Sequence, residues 1–260
     1  MSDVVAPVVR LEREGRLARV IVGSGVRRNA LSSGGWAGIE RAMRRLAGNE
    51  TLRAVVLEGA AGWFCAGSDI REWAQATAEQ VELSFARMEA ACTAVEELPV
   101  PVIAKVRGPA AGAGCQLALA CDMRILAVGA SIGMPIARLG ILISPAFANR
   151  LAVHAGASGA RDLLYTGRMV GAEEAVRMGL ASACVPGDRL DQRVEVVVDD
   201  VLHGSGAAVR AAKRALDELI APGRIAARAM AGPPIDHDDF QRGVDAFVHR
   251  RRRRTARVAT

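Results

Sequence analysis

Twice in this chain an apolar strand pattern runs into a cluster of small residues and then into a helical pattern. The first passage is LRAVVLE at Leu52–Glu58 followed by FCAGSDI at Phe64–Ile70; the second is VPVIAKV at Val100–Val106 followed by GPAAGAGCQ at Gly108–Gln116. Small residues at such a junction let backbone approach backbone or ligand, and the first N–H groups of the helix have no partner inside it. Two junctions of this form on neighbouring parallel strands could turn a pair of amides onto one oxygen atom, the arrangement of an oxyanion hole. Either passage alone is explained as well by tight packing, with Asp69 capping a helix. The GxG at Gly112–Gly114 lacks the third glycine of a dinucleotide fingerprint, since position 117 is Leu, and no phosphate-loop lysine follows.

The rest of the chain continues the alternation. Leu17–Val22 (LARVIV) and Met123–Val128 (MRILAV) read as further strands, with helical patterns at Trp36–Leu46 and Ala78–Leu98. Strand alternating with helix is the signature of an α/β fold. After Ala157 the patterns are mostly helical, including AVRAAKRALDELI at Ala208–Ile220 and DDFQRGVDAFVHR at Asp238–Arg250. The expected division is therefore an α/β core over residues 1–200 and a helical region with an arginine-rich tail over residues 201–260. A chain of 260 residues that is 51% hydrophobic has enough apolar side chain for one sizeable core.

The net charge of +6 is local: Arg250–Arg254 and Arg257 supply six of the 34 basic residues, and the remaining 28 match the 28 acidic ones. Nine aromatic residues, none interleaved with the arginine run, provide no stacking platform, so nucleic acid is not the expected partner. The five cysteines have no CxxC spacing and lie among apolar neighbours, as reduced thiols in a cytosolic protein do. The N-terminal MSDVVAPVVR has no signal-peptide core, and no uncharged apolar run reaches the ~18 residues of a membrane span. A cytoplasmic protein with no membrane partner is expected, and no metal-ligand spacing is present.

The two junctions carry a family resemblance. FCAGSDIREW resembles the FCAGADLKE signature of the crotonase (enoyl-CoA hydratase/isomerase) superfamily, and GPAAGAGCQLALACDMRI resembles its NGPALGGGCELALACDIRI, in the same order and at the same interval. Asn29-Ala30-Leu31, ASIGMPIARLGI at Ala130–Ile141, LLYTGR, AEEAVRMGL and AFVHRR resemble further motifs of that family, so the likeness runs over nearly the whole chain. It implies a crotonase-type α/β spiral of ββα units with a helical C-terminal trimerisation region, assembled as a homotrimer or a dimer of trimers. It also implies an acyl-CoA thioester as ligand, with coenzyme A as part of the substrate and no permanently bound cofactor. The thioester carbonyl is then held by the backbone N–H groups of Ser68 and Ala113. Ala66, Asp69 and Ile70 lie along the adenine end of coenzyme A, Arg27 or Arg28 meets its phosphates, and Phe247 and Arg250 reach the coenzyme A of a neighbouring subunit.

The departures from the family bear on the chemistry. Its hydratases hold a water between two glutamates, at the positions of Gln116 and Ile136 here. An amide does not titrate in the useful range and an isoleucine neither donates nor accepts a proton. Gln116 could orient a water or a substrate carbonyl, or it could satisfy a buried helix start. Ser144 and Asn149 fall near the expected acyl pocket without being bases, while His154 reads as structural and Glu72 and Glu89 as solvent-facing. The expectation is an enoyl-CoA hydratase/isomerase-like protein, of lyase or isomerase type, that stabilises a thioester enolate and hydrates 2-enoyl-CoA poorly. It would use an unusual acid/base residue or a substrate with its own driving force, such as loss of CO₂. The alternative is a non-catalytic acyl-CoA binder or assembly partner of the same fold.

Overall fold

The strand patterns form the centre of a sheet in the computed structural model, which describes residues 9–230 and 234–258. The strands are β1 (Val9–Glu14), β2 (Leu17–Val22), β3 (Ala54–Gly59), β4 (Val102–Val106), β5 (Pro109–Ala111), β6 (Met123–Ala127), β7 (Ser131–Gly133), β8 (Met169–Gly171) and β9 (Ala183–Val185). A six-stranded sheet has the order β1-β2-β3-β4-β6-β9, and a second sheet of three strands has the order β5-β7-β8. In the large sheet β1 is antiparallel to β2 and every other pair is parallel.

The helices are α1 (Ser33–Ala47), α2 (Ala78–Glu96), α3 (Ala113–Ala120), α4 (Pro145–Thr166), α5 (Ala172–Arg177), α6 (Leu190–His203), α7 (Gly206–Ala229) and α8 (His237–Val258). Ser32 starts α1 by accepting from Gly35 N–H at 3.1 Å, and Thr77 with Gln80 forms a capping box on α2.

Strand alternation divides the core. Leu17, Ala54, Val56, Ile103 and Ile125 pack with Leu190, Val194 and Val198 of α6. The residues between them, such as Val20, Val55, Leu57 and Ala104, join the core that holds Trp36 and Ile39 of α1 and Met88 of α2. Helices thus cover both faces, which is why the parallel strands read as mostly apolar runs, with single charged residues at Arg19, Glu58, Lys105 and Arg124.

The change to helix expected near residue 200 falls inside α6. Beyond it α7 lies against α4, and Lys213 ties it to the core by bonding both carboxylate oxygens of Asp122 at 2.7 and 2.6 Å. Leu216, Leu219 and Ile225 of α7 stay exposed. Helix α8 runs back over the turns at Ile70–Gln75 and Pro135–Leu139. Among the described residues no helix is long and apolar enough to cross a membrane.

Candidate active site

The two strand-to-helix junctions lie side by side. Cys65 N–H donates to Pro109 O and Ala111 N–H donates to Cys65 O, each at 3.2 Å. On the other side Leu31 N–H donates to Gly67 O and Asp69 N–H donates to Leu31 O, each at 2.8 Å. Ser68 is thereby fixed between the Asn-Ala-Leu segment and β5. Two glycines are required for this approach: a Cβ on Gly67, whose φ is +96°, would sit 2.6 Å from Ala111 O, and one on Gly114 would sit 2.1 Å from Cys65 O. Among the described residues, neither Ser68 N–H nor Ala113 N–H donates to a protein acceptor. Ala113 is also the first residue of α3, so the positive end of a helix dipole faces the same point.

Asn29 shapes the loop beside them. It is fully buried with φ +57°, its Oδ1 accepts from Gly25 N–H at 2.6 Å, and its Nδ2 donates to Ala60 O at 2.9 Å and Trp63 O at 2.6 Å.

Ser68 and Ala113 open onto a chamber of about 80 Å³ walled by Trp73, Phe85, Met88, Ile136, Ile143 and Phe147, among others. Its one polar side chain, Ser68, is engaged: Oγ accepts from Trp36 Nε1 at 3.0 Å and lies 2.8 Å from Met88 Sδ. Among the described residues no ionisable side chain lines the chamber. Ile136 is part of this apolar wall.

Gln116 is buried outside the chamber lining. Its Nε2 donates to Phe147 O at 3.2 Å and its Oε1 accepts from Arg150 Nη1 at 3.0 Å. Both polar atoms of the Gln116 amide are thus engaged by buried groups of α4. Arg150, only 5% exposed, also bonds Glu96 through Nε and Nη2 at 2.7 and 3.2 Å and Glu89 through Nη2 at 3.0 Å. The two carboxylates hold the guanidinium strongly in its charged form against the desolvation of burial. Glu89 is therefore not the solvent-facing residue expected. It and Glu96 are two helical turns apart on α2, a spacing that marks one face of the helix but does not name a partner 54 to 61 residues away.

His154 stands at the edge of the same cluster. Its Nε2 lies 3.0 Å from Leu119 O and its Nδ1 lies 3.4 Å from Arg124 Nη2. Burial and then the Arg124 charge push its pKa down to about 4, so the ring is neutral at pH 7, an Nε2–H donor and an Nδ1 acceptor. Ser144 caps α4 by accepting from Phe147 N–H at 3.1 Å. Serine and histidine thus have separate structural tasks. Asn149 Nδ2 is buried without a hydrogen-bond partner among the described residues, and Glu72 is exposed, accepting from Ser33 N–H at 2.8 Å.

A wider cleft of about 420 Å³ continues from the chamber and brings together Arg27, Arg28, Ala66, Asp69, Ile70 and Phe247. Asp69 both caps the 70–75 turn and pairs with Arg27. Arg28 lies over the Trp63 ring at 5.0 Å. Phe247 of α8 lines this cleft, and Phe240 of the same helix is buried against Trp73. The side chain of Arg250 lies outside the described ones.

The family model for enoyl-CoA hydratase/isomerase matches residues 17–255. A Mycobacterium bovis protein named "Probable enoyl-CoA hydratase echA8" is 32% identical over 248 residues, covering 94% of this chain and 95% of that one. Among solved structures, an enoyl-CoA hydratase/carnithine racemase from Magnetospirillum magneticum is similar with a TM-score of 0.80 at 31% identity, over 84% of this chain and 82% of that one. An enoyl-CoA hydratase from Bacillus anthracis gives a TM-score of 0.78 at 29% identity, over 85% and 90%. The fold, the paired junctions and these matches place the chain in the enoyl-CoA hydratase/isomerase family, the crotonase superfamily.

Proposed function

We propose that this protein binds an acyl-CoA thioester with its carbonyl oxygen between Ser68 N–H and Ala113 N–H, stabilises the negative charge of the enolate, and hydrates 2-enoyl-CoA slowly. The observation that carries the proposal is the pair of backbone donors without protein acceptors at the entrance of an apolar chamber. Fixed donors in a low-dielectric site favour an oxygen that gains charge over one that does not. The outer cleft supplies a place for coenzyme A, with Arg27 and Arg28 available to its phosphates and Ala66, Asp69, Ile70 and Phe247 along it. Among the described side chains of the chamber wall none takes or gives a proton near pH 7, so the α-proton has no partner there. That wall favours a second reading: a protein that holds and polarises a thioester without turning it over.

The exposed apolar residues of α7 support assembly as a homotrimer or a dimer of trimers, with residues 201–260 as the oligomerisation region. Light scattering at the mass of a single chain would count against it.

Infrared spectroscopy of bound butyryl-CoA carrying a ¹³C-labelled carbonyl tests the oxyanion hole. The carbonyl stretch should move to lower frequency on binding. In Ala113→Pro, which removes one donor at a helix position that tolerates proline, about half of that movement should be lost. An unchanged stretch in the wild type, or the same stretch in a folded variant, contradicts the proposal.

A further inference from the structure

We infer that the chamber takes a short, unsubstituted apolar acyl group and that Trp73 sets its length limit; the inference rests on thioester binding at Ser68 and Ala113. The chamber and the outer cleft share Ala66, Ser68, Ile70, Ala111, Pro135 and Leu139, and these residues mark the mouth through which an acyl chain enters. Trp73, Phe85, Met88, Ile143 and Phe147 line the chamber alone and form its inner end. Beyond the mouth the space contracts from about 420 to about 80 Å³.

The indole at that end is held from several directions. It stacks on Phe85 of α2 with centroids 5.4 Å apart at 16°, and it meets Phe240 of α8 at 5.6 Å and 47°. Its Nε1 donates to Ser84 Oγ at 3.3 Å. Moving it aside for a longer chain costs the aromatic contacts and leaves a buried N–H unpaired.

The wall also selects for chemistry. The buried cation Arg150 stands over the Phe147 ring at 5.6 Å, does not line the chamber, and gives its donors to Glu96, Glu89 and Gln116. A second carboxylate on the acyl group, as in a malonyl thioester, would lose its water here and meet no counter-charge among the described side chains. Decarboxylation of a malonyl-type substrate, one of the driving forces weighed from the sequence, does not fit this chamber.

The experiment is calorimetric titration of the full chain with butyryl-, hexanoyl-, octanoyl-, decanoyl- and dodecanoyl-CoA, with malonyl-CoA, and with free coenzyme A. Affinity should rise by up to about fourfold per added methylene while the chain still fits. It should peak at or before octanoyl and fall at least about tenfold by dodecanoyl. Malonyl-CoA should bind at least about tenfold more weakly than butyryl-CoA. Trp73→Ala should move the peak to longer chains, and Trp73→Leu, which keeps an apolar side chain in the core, should do the same to a smaller extent. Dodecanoyl-CoA binding as tightly as hexanoyl-CoA, malonyl-CoA matching butyryl-CoA, or an unmoved peak in a folded variant overturns the inference. Binding of every thioester no tighter than free coenzyme A would instead overturn the reading on which it rests.

Discussion

The acyl chamber and the Arg150 cluster lie on opposite sides of Phe147 and are built from the same three helices. From α2, Phe85 and Met88 face the chamber while Glu89 and Glu96 face the cluster. From α4, Phe147 faces the chamber while Arg150 and His154 face the cluster. From α3, Ala113 opens the chamber and Gln116 reaches back to Arg150. One side is apolar with two open amides, and the other is a satisfied network of charges. The difference teaches that polarity near an active site is not itself catalytic equipment. What matters is the side of the helix on which a polar group is used, and here the amide at 116 is used on the structural side.

Breaking the cluster should have the largest effect. Arg150→Met keeps an unbranched apolar stem but removes the guanidinium that Glu96 and half-buried Glu89 share, and should cost about 3–5 kcal/mol. A fall in the denaturation midpoint with an unchanged slope is the expected readout; a loss below about 1 kcal/mol would mean that the network is solvated in solution.

Gln116→Glu sharpens the comparison with a smaller effect. The new carboxylate can still accept from Arg150 but loses the donor to Phe147 O, and it becomes a third acidic group around one guanidinium. A loss of about 1–2 kcal/mol is expected, with no gain in 2-enoyl-CoA hydration because the side chain remains on the cluster side. A gain of about 100-fold or more in hydration, the contribution of a working acid/base group, would show that residue 116 can address the chamber.

Much of this was legible in the sequence, for physical reasons. Strands β2, β3, β4 and β6 are covered on both faces and leave mostly apolar runs, each with one charged residue. The small residues of the junctions are forced by backbone contact, as Gly67 and Gly114 show. Strands β5, β7, β8 and β9 are three residues each, too short to impose a period, and β1 (VRLERE) carries the charges of an edge strand. The Gln116 ambiguity could not be settled from the chain because its partner is 34 residues away. Glu89 was misread for the same reason: an exposed glutamate and one paired to a distant arginine look identical on a helical wheel.

Crotonyl-CoA hydration by the wild-type protein, followed with purified protein at saturating substrate, tests most directly the claim that the chamber holds a thioester without an acid or base. Each missing group usually costs about 10²–10⁴-fold, so binding should be measurable while turnover stays well below about one per second, the lower edge of the ordinary enzyme range. A turnover of about ten per second or more would contradict the account, because some residue would then be moving protons where no described side chain is ionisable.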